Sequence, residues 1–492
     1  MIKVTTFSGQ RVAVFGLGIS GLSAATALMA GGAELAVWDE RETSRAAALE
    51  AGLPLVDLAD ADWAGFDGLL LSPGVPLTHP KPHWTVEKAR AAGVPIIGDT
   101  ELFFLEYLAH GGLDNNVLKN GGDDQVIVIT GTNGKSTVTA LCQHILMKAG
   151  VRAVMGGNIG RGVLDLPAFG AGTVYVLELS SYQIDLTPSL RPRAAALLNI
   201  SPDHLDRHGT VAHYAEVKSR VFDQLEAGDR AIVSIDDEYS RGIAAGLETG
   251  GDVWLVGSEG EVPQGACFSP DGFDLFVDGE VCRRVDLSGA LRLRGAHNMQ
   301  NAAFAFLLAD AVSDNADGLI EGLLDFPGLA HRCQEIGCYQ ADGRRVLFVN
   351  DSKATNAEAS APALRSYTDI YWLAGGRAKT GGIAPLADEF ASVKRAFLYG
   401  EAAEDFAATL KTAGVAFELF DDLAAATDAA FQAALADQTS EQAAVLLSPA
   451  AASFDQFPNF EVRGEAFVAA VQGLEERFGL GQTLLYEISD GC

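Results

Sequence analysis

The chain has 492 residues, of which 48% are hydrophobic and 20% charged, and its formal net charge at pH 7 is −30. A chain of this length is expected to form about two to four domains, and its acidity excludes a general attraction to nucleic-acid backbones or anionic membrane surfaces. We therefore expect no nucleic-acid partner and no membrane contact, and local cations, helix N-termini or metal ions must hold any anionic ligand.

The N-terminus and the cysteines predict the compartment. The N-terminal apolar run is short and no cleavage site follows it, so we expect no signal peptide. No apolar stretch approaches the ~20 residues of a membrane span. The six cysteines form no C-x-x-C pair, which favours reduced thiols over disulfides. We expect a cytoplasmic protein.

The first block, residues 1–108, alternates predicted strands and helices. Apolar runs predict an Ala/Leu-rich helix at 21–31 and strands at 11–16, 34–39, 68–74 and 94–98. This βαβ order predicts a parallel, doubly wound sheet.

Three glycines lie between the first predicted strand and its helix. Gly16, Gly18 and Gly21 form a G-x-G-x-x-G motif. Asp39 ends the following strand, about where a Rossmann fingerprint has its ribose-binding acid. Such a turn before a helix favours a bound diphosphate, because N–H groups and the helix dipole attract anions. A glycine turn needed only for packing is the alternative.

A segment rich in Gly, Asn and Asp, 109–125, predicts a linker or insertion before a second α/β block at 126–329. The first strand of that block leads into GTNGKST at 131–137 and then into a helix, which is the context of a phosphate-binding loop. The common loop needs a glycine where Ile129 stands, so this loop is shorter. Lys135 is expected on the β/γ-phosphates, and Ser136 or Thr137 on Mg²⁺.

Two polar residues follow later strands of the second block, which are predicted at 174–179, 195–200 and 230–235. Glu178 lies at the end of the first of these strands, and His204 lies in the segment that follows the second. The carboxyl ends of parallel strands form the ligand-binding edge of open α/β sheets, which makes the pair a candidate for binding Mg²⁺. An ordinary loop histidine is the alternative for His204. For Lys218, the residues alone favour a solvated lysine on a helix face.

A stretch rich in β-formers at 253–293, a helix from near His297 and a break at 326–332 precede the third α/β block. Strands are predicted there at 345–351, 370–376, 395–400 and 443–449. The third block thus repeats the strand and helix alternation of the first.

The order of the motifs GLGISG, GTNGKST, GGNIG, ELSSYQ, DHLDRH, HN, HR, NDSKATN and SPAAASFDQF resembles the Mur ligases over nearly the whole chain. Within that family it is most similar to the members that add D-glutamate to UDP-N-acetylmuramoyl-L-alanine (UDP-MurNAc-L-Ala). The resemblance implies three α/β domains: a Rossmann-like UDP-sugar-binding domain at 1–108, a central P-loop ATPase domain at 126–329 and a Rossmann-like amino-acid-binding domain at 330–492. It also implies a monomer.

The resemblance implies an ATP-dependent amide ligase of peptidoglycan precursor synthesis that works through an acyl phosphate. It implies two Mg²⁺ ions and carbamylation of Lys218 by CO₂. Catalytic roles are implied for Lys135, Glu178, His204 and Lys218. Metal ligands are implied at Ser136, Glu178, His204 and Lys218. ATP contacts are implied at Gly131, Thr132, Asn133, Gly134, Lys135, Ser136, Thr137, Asn298, Asn301, Arg332 and Asp351.

The same matching implies two substrate sites. The UDP-sugar site is implied at Ser20, Asp39, Gly74 and Asn158. The D-glutamate site is implied at Thr355, Lys379, Ser453 and Phe460. The chain departs from the family pattern in its long segment 109–125 and in an additional basic residue, Arg377, two positions before Lys379.

Four alternatives stay open at this stage. An NAD(P)-dependent dehydrogenase would explain only the first glycine motif, and a non-catalytic nucleotide-binding scaffold would not need Glu178, His204 and Lys218 together. Within the family, an L-alanine-adding or folylpolyglutamate-type ligase is the nearer rival. SFDQF and NDSKATN favour the D-glutamate-adding members.

Overall fold

The computed structural model describes residues 1–111, 124–258, 260–290, 292–293, 295–341, 344–379, 381–437, 439 and 441–478. It is a mixed α/β structure with three sheets. The chain divides into two compact units, Met1–Phe326 and Pro327–Cys492. The three predicted domains stay a prediction, since the first two fall within one compact unit. Most of the predicted linker, 112–123, lies outside the described residues.

The first sheet has four parallel strands in the order β2-β1-β3-β4. Its strands are β1 (Arg11–Phe15), β2 (Glu34–Trp38), β3 (Gly68–Leu71) and β4 (Ile96–Ile97). Its helices are α1 (Ile19–Gly31), α2 (Glu42–Glu50), α3 (Trp84–Ala92) and α4 (Asp99–Ala109), with a 3₁₀ turn at Trp63–Gly65. The four predicted strands are confirmed, and β3 ends early because the chain turns at Ser72, whose carbonyl accepts from Val75 N.

The second sheet has nine strands in the order β13-β12-β11-β10-β9-β8-β5-β7-β6, parallel except at β11-β12 and β12-β13. Its strands are β5 (Gln125–Thr130), β6 (Ala153–Gly157), β7 (Val174–Glu178), β8 (Ala194–Leu197), β9 (Arg230–Ser234), β10 (Asp252–Gly257), β11 (Gly265–Ser269), β12 (Gly272–Val277) and β13 (Glu280–Asp286). Its helices are α5 (Lys135–Lys148), α6 (Ser181–Ile184), α7 (Leu205–His208), α8 (Val211–Ser219), α9 (Glu238–Gly246), α10 (Ala296–Asp310) and α11 (Ala316–Leu324), with 3₁₀ turns at Val163–Asp165 and Arg220–Phe222.

One buried cluster joins the first two sheets. It contains Val14 of β1, Phe103 and Tyr107 of α4, and Val128 and Leu177 of the second sheet. Phe103 of α4 lies against Tyr175 of β7, with ring centroids 5.6 Å apart, and α4 also contacts α1 of the first sheet's layer. Removing this shared apolar area from water stabilises the two sheets as one unit.

The third sheet, in the second unit, has the order β14-β15-β19-β16-β17-β18 and is parallel except at β14-β15. Its strands are β14 (Gln334–Ala341), β15 (Arg344–Asn350), β16 (Ile370–Gly375), β17 (Val393–Tyr399), β18 (Phe417–Phe420) and β19 (Gln442–Leu447). Its helices are α12 (Ala357–Ser366), α13 (Ala403–Ala413), α14 (Leu423–Ala436) and α15 (Phe460–Phe478), with a 3₁₀ segment at Ala384–Ser392. Among the described residues, no helix combines the length and apolar character of a membrane span.

The first glycine motif has a packing requirement of its own. A Cβ on Gly21 would lie 1.9 Å from the carbonyl oxygen of Gly16, and a Cβ on Gly16 would lie 2.5 Å from Cβ of Ser72. Gly16 also has a φ of 91°, a backbone angle that residues with a side chain rarely adopt. The close approach of α1 to the end of β1 therefore needs glycine at 21, and the close approach of Ser72 together with the positive φ needs glycine at 16, with or without a ligand.

We predict that Gly21→Ala lowers the free energy of unfolding by about 1–3 kcal/mol, because the new methyl group overlaps backbone. The control is Gly242→Ala on α9, where a Cβ meets nothing within 4 Å. This control should be neutral or stabilising by about 0.5–1 kcal/mol, since alanine costs less helix entropy. Urea unfolding followed by circular dichroism measures both, and equal stability of the two variants would contradict the packing argument.

Candidate active site

The loops after β5, β6, β7 and β8 meet at one edge of the second sheet, because these neighbouring strands are parallel. They carry GTNGKST, Asn158, Glu178 and the segment that contains His204. This is the edge at which the sequence predicts a nucleotide site.

The GTNGKST loop is held by its own lysine and by Asn199. Lys135, the first residue of α5, donates from Nζ to the carbonyls of Gly131 (3.0 Å) and Thr132 (2.9 Å). Asn199 Oδ1 accepts from Asn133 N at 2.8 Å, and Asn199 O accepts from Thr132 N at 2.9 Å. Asn199 was not predicted as a site residue, because the strand predicted at 195–200 includes it, whereas β8 ends at Leu197 and leaves Asn199 in the following loop.

The start of α10 packs on the same loop. A Cβ on Gly134, which has a φ of 85°, would lie 2.7 Å from Oδ1 of Asn301. Asn301 in turn donates from Nδ2 to Oδ1 of Asn298 at 3.2 Å. The structure thus brings both asparagines to the predicted ATP loop, and their contact with ATP stays a prediction.

Glu178 ends β7 and is buried. Its Oε1 accepts from Nδ2 of Asn158 at 2.9 Å, while its Oε2 is buried with no hydrogen-bond partner. A buried carboxylate oxygen without a partner is costly and marks a place for a cation or donor. Asn158, predicted for the UDP-sugar, therefore lies beside the predicted metal ligand.

His204 lies near this edge in an unusual backbone conformation. Its φ is 51°, its side chain is half exposed, and its Nδ1 lies 3.1 Å from the hydroxyl of Tyr182. Its Nε2 lies 3.4 Å from a carboxylate oxygen of Asp203. The backbone conformation is compatible with the predicted metal-ligand role of His204, which stays a prediction.

Lys218 is not a solvated helix-face lysine. It is 1% exposed, and its Nζ donates to Thr130 Oγ1 at 3.1 Å and to Gly131 O at 3.0 Å. Burial lowers the pKa of Lys218 well below its usual value, and the nearby charge of Lys135 lowers it further, while Asp203 and Glu178 oppose the shift. The interpretation favoured by the residues alone is therefore wrong, because the amine is buried and hydrogen-bonded where β5 turns into the GTNGKST loop.

A divalent cation fits this edge only in part. The described residues contain no group of three or more His, Cys, Asp or Glu side chains that could hold a metal ion. Glu178 Oε2 and His204 supply two possible ligands, and Ser136 lies buried in the first turn of α5. Lys218 as an amine donates hydrogen bonds and adds no ligand, whereas a carbamate would add oxygens.

The carboxylate of Asp39 accepts hydrogen bonds from the backbone of the first glycine loop and of the segment after β2. Its two oxygens accept from Leu17 N at 2.7 Å and from Arg41 N at 2.8 Å. Burial acts to raise the pKa of Asp39, but the hydrogen bonds from Arg41 and Leu17 outweigh it, so the pKa is lowered. Arg41, which sequence reasoning missed, lies at the same strand end.

The other residues predicted for the UDP-sugar lie in separate elements. Ser20 lies in the first turn of α1, and Gly74 is exposed in the loop after β3.

The second unit repeats the same geometry. The loops after β15, β16 and β19 share one sheet edge and carry the predicted residues of this unit, namely Asp351, Thr355, Lys379 and Ser453. Phe460 begins α15, with Nζ of Lys353 3.9 Å from its ring centroid, and Arg332 precedes β14. The structure does not test contacts of these residues with ATP or D-glutamate.

Asp351 is buried where β15 ends. It accepts from Ser448 Oγ at 2.7 Å and from Cys333 N at 3.1 Å. Burial raises the pKa of Asp351 to about 7, against the effect of these hydrogen bonds. The neighbouring Arg463 was missed, because its complete burial between loops is a tertiary feature.

Comparison with known proteins identifies relatives over most of the chain. Two family models match, the Mur ligase middle domain at residues 129–309 and the Mur ligase MurD-like, N-terminal domain at residues 10–98. A protein of Caulobacter sp. (strain K31), named UDP-N-acetylmuramoylalanine--D-glutamate ligase, is 50% identical over 477 residues, which cover 96% of this chain and 98% of the relative. A protein with that name from Rhizobium etli is 50% identical over 486 residues, which cover 99% of this chain and 98% of the relative.

A solved structure supports the same fold. The UDP-N-acetylmuramate-alanine ligase MurC from Thermotoga maritima superposes with a TM-score of 0.54 and 17% identity, and the match covers 94% of this chain and 100% of that chain. At this identity the likeness concerns the fold alone.

We predict that Lys218→Met raises the free energy of unfolding at pH 7 in CO₂-free buffer. Burial holds the pKa of this amine in the folded state well below its value in the unfolded chain, so the lysine destabilises the fold wherever pH lies below the usual lysine pKa. The gain should shrink as pH approaches about 10.4. Exposed Lys3→Met is the control, and a Lys218→Met variant whose stability changes with pH as the wild type does would contradict the lowered pKa.

Proposed function

Because the chain belongs to the Mur ligase family, we propose that it is an ATP-dependent ligase that joins D-glutamate to UDP-MurNAc-L-Ala in the synthesis of peptidoglycan precursors. The observation that carries this proposal is 50% identity, over nearly the full length of both chains, to proteins named for that activity. The match of both Mur ligase models and the short ATP loop between β5 and α5 support it.

The chemistry explains the need for ATP. The terminal carboxylate of UDP-MurNAc-L-Ala is a poor acyl donor, because its leaving group would be oxide. Its oxygen forms a bond to the γ-phosphorus while the bond to the β-phosphate oxygen breaks, which gives an acyl phosphate and ADP. The amine of D-glutamate then attacks the acyl carbon and loses a proton, and phosphate leaves with the electron pair of the broken C–O bond.

Both steps bring anions together, so the protein must supply positive charge. The GTNGKST loop and the N-terminus of α5 direct backbone N–H groups and a helix dipole at the expected phosphate position. Lys135, held by the loop carbonyls, adds a full charge. We propose two Mg²⁺ ions here, and when bound they would offset the charges of carboxylate and phosphate, with Ser136, Glu178 and His204 among their ligands.

We further propose that Lys218 is carbamylated. The lowered pKa favours the unprotonated amine, which can attack the carbon of CO₂; this forms an N–C bond, moves a C–O electron pair onto oxygen and releases one proton. The product is an anion with two oxygens, and its charge would complement Lys135 and supply the ligand that the described cluster lacks. The burial of Lys218 against two neutral acceptors, Thr130 Oγ1 and Gly131 O, supports this role, because a cationic lysine is costly in such a position.

The substrate sites are proposed from their placement. Ser20, Asp39, Gly74 and Asn158 would contact the UDP-sugar, with Asp39 acting mainly by positioning the glycine loop amide of Leu17. Thr355, Lys379, Ser453 and Phe460 would surround D-glutamate, and Asn298, Asn301, Arg332 and Asp351 would contact ATP. We also propose that the protein works in the cytoplasm as a monomer, with domains at 1–108, 126–329 and 330–492.

We predict that the protein releases ADP from ATP with UDP-MurNAc-L-Ala and D-glutamate, and that L-glutamate, L-alanine, L-lysine and meso-diaminopimelate replace D-glutamate poorly. Lys135→Ala should reduce turnover by at least about a hundredfold, since it removes the charge aimed at the phosphates. Lys411→Ala, at an exposed lysine of α13, is the matched control. Preference for another amino acid would refute the assigned substrate, and near-normal turnover of Lys135→Ala would refute the ATP site.

We predict that Lys218→Ala is nearly inactive and is partly rescued by acetate, whose carboxylate can occupy the space of the carbamate. Lys218→Arg should stay inactive, because a guanidinium keeps its charge, does not react with CO₂ and does not ligate a cation. Steady-state turnover with and without acetate measures both effects. Full activity of Lys218→Arg would exclude the carbamate.

A further inference from the structure

Arg377 lies in the loop after β16 and forms a two-point ion pair with Glu401 of the loop after β17. Arg377 Nε lies 2.9 Å from Glu401 Oε2, and Arg377 Nη2 lies 2.9 Å from Glu401 Oε1. Each donor thus meets its own carboxylate oxygen, the geometry in which arginine binds a carboxylate best. The basic residue that departs from the family pattern is therefore already paired within the protein.

The backbone of Arg377 ties the same loop to the segment that carries Ser453. Arg377 N donates to Ala452 O at 2.8 Å, and Ala452 N donates to Arg377 O at 2.9 Å. Arg377 is therefore fixed through its main chain on one side and through its guanidinium on the other.

The loop that carries Glu401 is anchored to both neighbours. Ala402 N donates to Gly376 O at 2.8 Å, and Glu401 N donates to a carboxylate oxygen of Asp455 at 3.1 Å. A Cβ on Gly400, which has a φ of 74°, would lie 2.2 Å from that oxygen of Asp455. These contacts fix the backbone around Glu401, so Glu401 holds Arg377 from a defined position.

The pair also removes a charge from the amino-acid site. The hydrogen bonds with Glu401 raise the pKa of Arg377, and those with Arg377 lower the pKa of Glu401, so both groups stay ionised and cancel. Lys379 lies two residues further along and is exposed. Lys379 is then the cation that this loop presents to an incoming amino acid.

We propose that Arg377 is a positioning residue of the D-glutamate site and does not bind the amino acid. Paired with Glu401, it holds residues 376–379 against the loops after β17 and β19 and so determines where Lys379 meets the side-chain carboxylate of the substrate. This inference rests on the proposed function, in which Lys379 contacts D-glutamate.

The test is a charge-exchange cycle in the full-length protein. KM for D-glutamate, ATP and UDP-MurNAc-L-Ala is measured for the wild type, Arg377→Ala, Glu401→Ala, Arg377→Glu and the double exchange Arg377→Glu/Glu401→Arg. Each single variant should raise KM for D-glutamate about two- to fivefold, which an exposed two-point pair can supply, with the other constants changed less than about twofold. The double exchange should restore KM for D-glutamate.

Arg395→Ala is the matched control, because Arg395 forms an exposed ion pair with Glu418 between β17 and β18 in the same unit. It should leave every KM unchanged. Unchanged KM for D-glutamate in Arg377→Ala, or a double exchange that stays as defective as the single variants, would overturn the proposal. A lower KM in Glu401→Ala would also overturn it, because a released guanidinium would then bind the substrate directly.

Failure of this inference can be told from failure of the proposed function. If the wild type uses D-glutamate and Lys379→Ala no longer does, the proposed function stands, whatever KM values the charge-exchange variants show. If the wild type does not use D-glutamate, the function fails and the inference fails with it. Thermal unfolding of each variant separates a positioning effect from a loss of fold.

Discussion

The buried amine of Lys218 is the constraint on which the nucleotide site depends. Its hydrogen bonds to Thr130 and Gly131 join α8 to the point where β5 turns into the GTNGKST loop. A charged amine is costly in such a position, so the same burial that fixes the loop also lowers the pKa of this nitrogen. Lys218, whose surrounding sequence shows only an ordinary helical pattern, thus has both a structural contact with the loop and a proposed chemical role.

Both units use one topological device. Neighbouring parallel strands end at the same sheet edge, and their loops bring residues that are far apart in the chain within hydrogen-bond distance. In the first unit this places Asn158 beside Glu178, and in the second it places Ser448 on Asp351. Short loops on rigid strands hold polar groups at fixed positions, so buried polar side chains find hydrogen-bond partners at these sheet edges.

Much of the fold could be predicted because buried parallel strands are continuous apolar runs with glycine-rich turns after them. The edge strands β14 and β18 were not predicted, since fewer of their side chains are buried and the hydrophobic pattern of their sequences is weak. The position of Glu178 at a strand end was predictable from local pattern. The burial of Lys218 and the engagement of Asp39 with the glycine loop were not, because both are set by residues distant in the chain.

The proposed carbamate of Lys218 can be tested directly by ¹³C NMR of the protein equilibrated with ¹³C-labelled CO₂. We expect a carbamate carbon resonance in the wild type that is absent from Lys218→Ala and that persists in Lys411→Ala, which removes an exposed lysine of α13. A wild-type spectrum without that resonance under saturating CO₂, or one in which it survives in Lys218→Ala, would contradict the assignment of Lys218.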